Sequence, residues 1–365
     1  MPTQDPTPSR RGWWLLVSLA LAGAQLALAG YELGVGNHSI QVPFLLRLHD
    51  ATLFTRDAMV NATLAAYPSL FYRALAPLLA WVTLPKLYWG LHLLTTAGVF
   101  FTVLELCRAI FRSYWPGLVA NLFLLAGHHH ALADQTLYST GFTHTWAVLP
   151  ATIGVLALFY SDRPRAAFAV AGLAFNFHAL EAGQLALVLA FAAVWLFPLR
   201  RVAGLLVIFG ALAAPTLVFM LLHREPFDAQ WLQLMHVRSA QHSFPFTWWR
   251  AGQPDLPRFI LILALAGLAM SLTPGEHLRK TLLLTAGIAL LFAAGILFTE
   301  VWPNALVIRA QLFRSSRFLF VIAFAYIAAG CVRARGLELA GALLIGASLA
   351  APDRKSTRLN SSHRT

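Results

Sequence analysis

Apolar runs nearly free of charge alternate with short polar connectors along most of the chain. The runs fall at 13–30, 87–107, 115–127, 143–160, 166–177, 184–197, 202–222, 259–272, 281–298, 318–331 and 337–351. A helix needs about 20 apolar residues to cross a hydrocarbon core. The longest runs satisfy this alone. Those of 12 to 15 residues cross by recruiting flanking residues, or re-enter on the same side. The pattern predicts an all-α fold, a polytopic membrane helical bundle of about 11 transmembrane helices forming one transmembrane domain over 1–352. The first run follows a polar segment ending in Arg10-Arg11, and Ala27-Leu28-Ala29 resembles a signal-cleavage site. Its length, and the spans that follow it, favour a retained span.

Parity sets the topology. With the N-terminus inside, the inner connectors carry Arg10/Arg11, Arg108/Arg112, Arg163/Arg165, Arg200/Arg201, Arg279/Lys280 and Arg333/Arg335. Each has two basic residues near a span end, which is the positive-inside pattern. The apolar stretch 64–84 holds Pro68, Arg73, Pro77 and Pro85. A crossing there would invert every later loop, so it is expected as a pair of interfacial helices within an external first loop, 31–86. The external loops 31–86 and 223–258 are the long ones, and the same topology puts most of the acids and histidines on the outer side. Elaborated loops on a rigid scaffold tend to carry function.

Composition sharpens the class. Of 365 residues, 58% are hydrophobic and 12% charged, against about 25% charged in soluble domains. The formal net charge of +12 is dispersed at span ends, so it marks membrane topology and not nucleic-acid binding. Cys107 and Cys331 provide neither a disulfide framework nor metal spacing. Trp248, Trp249 and Trp302 fit an interfacial aromatic belt. Residues 353–363 read DRKSTRLNSSH, one translated frame of a common sequencing-library adapter. Residues 353–365 are therefore set aside as a non-native tail that packs against nothing, and the natural chain is expected to continue differently after Pro352.

Four constellations could carry chemistry. Glu32 stands at the outer end of the first span, followed by His38, an amphipathic segment, and Arg56-Asp57. His128, His129 and His130 precede Asp134 and His144, and imidazole with carboxylate suits transition metals; consecutive histidines do not share a helix face, so at most two of the three could bind one ion. His178 and Glu181 are i and i+3, adjacent on a helix, and an ionisable pair between apolar runs needs a cavity or a partner. Arg309, Arg314 and Arg317 repeat close to one helix face at an outer span end, where guanidinium groups can bind phosphate oxygens in pairs.

The first constellation, with the many spans behind it, resembles the GT-C superfamily of membrane glycosyltransferases, which use polyprenyl-phosphate-linked sugars. Members place an acid in the first external loop just after the first span. Where they show Asp-Glu or Asp-Asp, this chain has Tyr31-Glu32. The segment also resembles uncharacterised bacterial multi-pass membrane proteins. The superfamily resemblance implies a bacterial inner-membrane enzyme with its N-terminus cytoplasmic. Its partners would be a polyprenyl-phosphate-linked sugar, membrane lipid and an acceptor, and some members use a divalent metal ion. Asp57 or Glu32 would be the general base. His38, His178, Glu181, Arg309, Arg314 and Arg317 would bind substrate, the arginines stabilising the departing phosphate. Asp57 and at least one of Glu32, His178 and Glu181 are expected to line one cavity with Arg314 or Arg317. A transporter or lipid flippase, or a non-catalytic membrane protein, are the rival classes.

Overall fold

The computed structural model describes residues 8–126, 130–223, 228–250, 255–272 and 275–333. Among these the chain is helical almost throughout, with one two-stranded antiparallel ribbon, His130–Ala131 (β1) against Gln135–Thr136 (β2). Six helical stretches are long and apolar enough to cross a membrane: Arg11–Ala29, Leu84–Phe111, Ala179–Leu196, Leu199–Leu222, Leu278–Val301 and Ala305–Arg333. The chain is a helical membrane protein. Among the described residues the expected count of about 11 spans is not confirmed, because several predicted runs form shorter helices. These are α6 (Trp115–Ala126), α7 (His144–Tyr160), α8 (Pro164–Phe175) and the apolar part of α14 (Asp255–Leu272). The run 337–351 and the tail 353–365 lie outside the described residues.

The first loop is built as expected, from short helices. Helix α1 (Pro8–Ala29) is followed by α2 (His38–His49), α3 (Ala58–Thr63), α4 (Phe71–Leu75) and a 3-10 turn, Ala76–Ala80. None is long enough to span. Large apolar side chains here, among them Leu53, Met59, Leu70 and Trp81, stand exposed, as a surface resting in a bilayer interface requires. Trp302 is exposed too, but Trp248 is buried against Phe313 and donates Nε1–H to the Ala240 carbonyl. It belongs to the packing and not to an aromatic belt.

Behind the loop, α5 (Leu84–Phe111) packs against α1, α6 and α7, and α17 (Ser316–Arg333) packs against α6 and α14. Helices α9 (Ala179–Leu196) and α15 (Leu278–Ile296) pack together, and α8 lies on α10 (Leu199–Leu222). Helix α17 is enclosed almost from end to end, with Phe318, Phe320, Phe324 and Tyr326 fully buried. Local chemistry sets the helix boundaries. Prolines occupy the first turns of α5 and α8, where no donor is lost. Thr143 caps α7 by accepting from the Trp146 N–H.

One end of the bundle is tied by ion pairs. Glu105 binds Arg108 at 2.8 Å and Arg11 at 3.3 Å, and accepts from the Tyr114 hydroxyl at 2.7 Å. Arg112 pairs with Glu276, and Lys280 with Asp162, each at 2.6 Å. The connectors that parity assigns to one side are thus neighbours in space. The opposite end is sewn by backbone bonds between distant loops, including Glu32 N–H to Thr140 O at 2.9 Å and Leu70 N–H to Asn176 O at 2.8 Å.

Helices α8 and α10 run parallel at close range. A Cβ on Gly172 would lie 2.7 Å from the Phe209 carbonyl oxygen. Four residues on, the Asn176 amide donates to Leu212 O at 2.8 Å and accepts from Thr216 N–H at 3.2 Å. These are the two groups that one turn of α10 would pair with each other, and they flank Pro215, which breaks the ladder. A polar side chain thus satisfies backbone that lipid could not. Gly172→Val should force the helices apart and lower stability by about 1–3 kcal/mol, read as a fall in the thermal midpoint of the purified protein. Gly204→Ala on α10, where a Cβ meets nothing within 4 Å, should leave the midpoint unchanged.

Candidate functional site

The segment 305–333 is apolar enough to read as one span, but it is broken. Helix α16 (Ala305–Ala310) ends at Gln311, whose backbone is left-handed (φ 47°). A 3-10 turn, Leu312–Ser315, follows, and then α17. The left-handed region is costly for a residue with a Cβ, and the break frees backbone carbonyls. Gln184 on α9 holds it: its Nε2 donates to Ala310 O at 2.6 Å and Gln311 O at 3.0 Å. Ser243, in α12 (Ala240–Ser243), donates to Ile308 O at 3.1 Å. Because of the break, Arg309, Arg314 and Arg317 do not share one helix face. Arg309 lies on α16 with its guanidinium 4.8 Å over the Trp231 ring, whereas Arg314 and Arg317 turn into the protein.

Arg317 Nη1 donates to both oxygens of Glu181, at 2.9 and 3.0 Å, with the side chains only 6% and 7% exposed. Glu181 sits in the first turn of α9, and His178 is that helix's N-cap. His178 Nδ1 accepts from the Glu181 N–H at 3.2 Å, and the opposite nitrogen lies 3.0 Å from the Thr145 hydroxyl. The i, i+3 relation therefore works through the backbone and not, as expected, side chain to side chain, which frees the carboxylate for Arg317. The cap fixes the tautomer: Nδ1 is bare and Nε2 carries the proton. Burial, then the His144 ring and the charges of Arg314 and Arg317, hold His178 well below the ordinary histidine pKa.

His144 stacks on it, ring centroids 4.6 Å apart. His144 Nδ1 accepts from Gln41 Nε2 at 2.9 Å with the Tyr72 hydroxyl 3.2 Å away, and Nε2 lies 3.2 Å from the Tyr67 hydroxyl. Helix α2 contributes Gln41, and the segment into α4 contributes both tyrosines, so the first loop forms one wall. Burial raises the Tyr67 hydroxyl above its ordinary pKa, leaving it a neutral hydrogen-bonding group.

Arg314 is at the centre. Its charge acts on Tyr67, His144, His178 and His242, and it feels Arg317, Glu181 and Asp134. The Arg314 side chain makes no hydrogen bond or ion pair among the described residues, and the Nε atoms of both Arg314 and Arg317 are buried without a partner. Two guanidiniums thus share one buried carboxylate at the N-terminal end of α17, an 18-residue helix. The uncompensated charge, the bare donors and the helix dipole all favour an anion.

The other expected site residues lie elsewhere. Asp57 is the N-cap of α3, accepting from Val60 N–H at 2.9 Å. Glu32 is exposed and accepts from the Thr140 hydroxyl at 3.3 Å. His38 is buried between Gly34 N–H (3.0 Å to Nδ1) and Phe142 O (2.7 Å from Nε2), a strut between two loops. None of the three bonds to the arginine cluster. His128 and His129 fall outside the described residues, and His144 serves the cluster instead of joining His130. Among the described residues no group of three His, Cys, Asp or Glu is arranged to hold a metal. Sequence reasoning passed over Gln41, Tyr67, Tyr72 and Gln184. The available signal was a lone amide inside an apolar run, which is expensive unless it has a task.

The neutral His178 makes the site pH-sensitive. Above about pH 6.5 the ring is uncharged in folded and unfolded chains alike. Below it, only the unfolded chain gains the proton, so stability falls by up to about 1.4 kcal/mol per pH unit. The thermal midpoint in detergent should drop from pH 7 to pH 5, and His178→Gln should make that slope shallower.

Compared with protein-family models, with curated proteins and with solved structures, the chain matches none of them.

Proposed function

We propose that the chain is a membrane glycosyltransferase that takes a sugar from a polyprenyl-phosphate donor and passes it to an acceptor at the outer face of the bacterial inner membrane, with its N-terminus cytoplasmic. The observation that carries this reading is Arg314, whose Nε is buried without a partner and whose side chain makes no hydrogen bond among the described residues. It stands beside Arg317 where a helix N-terminus meets the first loop. A phosphate there would receive donors from both arginines, and its developing negative charge would be stabilised as the sugar departs. Glu181 is held by Arg317, so its part is to orient that guanidinium. The base that takes the acceptor proton is Asp57 or Glu32, both on the solvent-facing loop; its role follows from the resemblance to the GT-C superfamily. His38 holds that loop in place. Arg309, beside Trp231, lies at the rim.

A lipid-phosphate transporter or flippase is the second reading. The break at Gln311 favours it, because transporters build sites at interrupted spans. Transfer of radiolabelled sugar from polyprenyl phosphate in membranes separates the two. With the enzyme, Arg314→Ala should lower turnover roughly 10²–10³-fold, and Asp57→Asn or Glu32→Gln, whichever is the base, roughly 10²–10⁴-fold. Full transfer in both acid variants would remove this mechanism, and lipid flux in proteoliposomes without any sugar transfer would favour the transporter. Orientation is tested separately. Ser39→Cys and Ser161→Cys should react with an impermeant thiol reagent from opposite sides of the membrane, and labelling from one side only would overturn the topology.

A further inference from the structure

The end of the bundle opposite the Arg314 cluster holds a second cationic feature, which neither the resemblance nor the proposed reaction uses. At this end Arg11, Arg108, Arg112 and Lys280 are each matched to a carboxylate. Arg163, Arg165, Arg200 and Arg201 are not: none of them has an acidic partner among the described residues. The nearest acid in the sequence, Asp162, is engaged by Lys280 at 2.6 Å.

Three of these arginines converge because of how α8 and α10 pack. The helices run parallel, with Gly172 against Phe209 and Asn176 against Leu212. Seven residues before Gly172 on α8 and eight to nine before Phe209 on α10, about two turns back along both helices, the register brings Arg165 level with Arg200 and Arg201. Together they line a recess of about 610 Å³, within the roughly 300–1,000 Å³ typical of small-molecule sites. Arg201 is braced by its guanidinium lying 4.2 Å over the Phe197 ring.

The rest of the wall is apolar. Gly204, Leu205 and Ile208 continue the recess along α10, with no atom near the missing Cβ of Gly204. Beside them Leu206 and Val207 are exposed on the outer flank of this helix. A cationic mouth above an apolar groove on a membrane-facing helix matches one ligand chemistry: a phosphodiester headgroup with acyl chains beneath it.

We propose that the recess between α8 and α10 is a binding site for an anionic phospholipid of the surrounding bilayer, its headgroup phosphate held by Arg165, Arg200 and Arg201 and an acyl chain lying along Gly204 and Ile208. The site is independent of the outer chemistry. It would anchor α8, and through α8 the His178 cap that follows, to one leaflet.

Native mass spectrometry of the full chain tests this, with dioleoyl phosphatidylglycerol, tetraoleoyl cardiolipin and dioleoyl phosphatidylcholine as probes. The two anionic lipids should be retained in preference to phosphatidylcholine. The triple variant Arg165→Gln, Arg200→Gln, Arg201→Gln should lose roughly fivefold in affinity per guanidinium, on the order of 100-fold in all. Arg112→Gln, at a paired cation of the same end, should change little. Since removing three topology-setting charges can impair insertion, Gly204→Trp provides a second arm: it fills the groove and keeps every charge, and it should weaken lipid retention by itself. Equal retention of all three lipids, unchanged retention in Gly204→Trp, or displacement of the lipid by inorganic phosphate at millimolar concentration would each overturn the assignment.

Discussion

The end of the bundle that carries Arg314 depends on how a broken helix is kept satisfied in apolar surroundings. Helix α16 stops at Gln311, and the carbonyls there lose their regular helical donors: Ile308 O keeps the Gln311 N–H, Gln311 O keeps the Arg314 N–H, and Ala310 O depends on the Gln184 amide. The Gln184 amide and the Ser243 hydroxyl complete the set. Lipid offers nothing in exchange for such a bond, so losing the Gln184 amide would leave Ala310 O bare. What the break achieves is to redirect the chain. Arg314 and Arg317 come off a 3-10 turn and the following helix start, and so point inward. On a continuous helix they would have continued the face that carries Arg309.

The buried polar cluster follows from this geometry. Arg317 needs a carboxylate, and Glu181 can serve only because His178 caps α9 through its ring and leaves the Glu181 side chain free. His178 in turn rests on His144, which is held by Gln41 and two tyrosines from the first loop. Each step satisfies the polar group before it, and the sequence of partners ends at Arg314, where the described chain supplies none. That unpartnered side chain is the reason the proposed function centres on Arg314.

Much of this architecture could be read from the residues. Apolar runs located ten helices, and the doublets of arginine and lysine assigned ends to connectors that do meet in space, as the Lys280–Asp162 and Arg112–Glu276 pairs attest. The count of crossings could not be read, since a 12-residue apolar run such as 115–126 gives a helix whose composition does not say whether it crosses. Of the site, the His178–Glu181 pair and the two inner arginines carried a visible signal: ionisable groups in apolar surroundings. Arg309 was grouped with them because helical spacing was assumed, and only the left-handed backbone at Gln311 separates them. That Asp57 also caps a helix could not be read, because it depends on where Val60 N–H points. The tyrosines were hidden for the opposite reason: in an interfacial loop an aromatic residue needs no explanation.

Helix α17 has almost no side turned to lipid, and that has a mechanical meaning. Its 18 residues form a rod about 27 Å long, gripped all round. Arg317 stands at one end. Past its middle, Tyr326 bonds Thr281, which bonds Tyr160. A rod held this way has no room to tilt or bend alone. Any displacement of Arg317 is therefore a displacement of the whole rod, which neighbours on nearly every side resist.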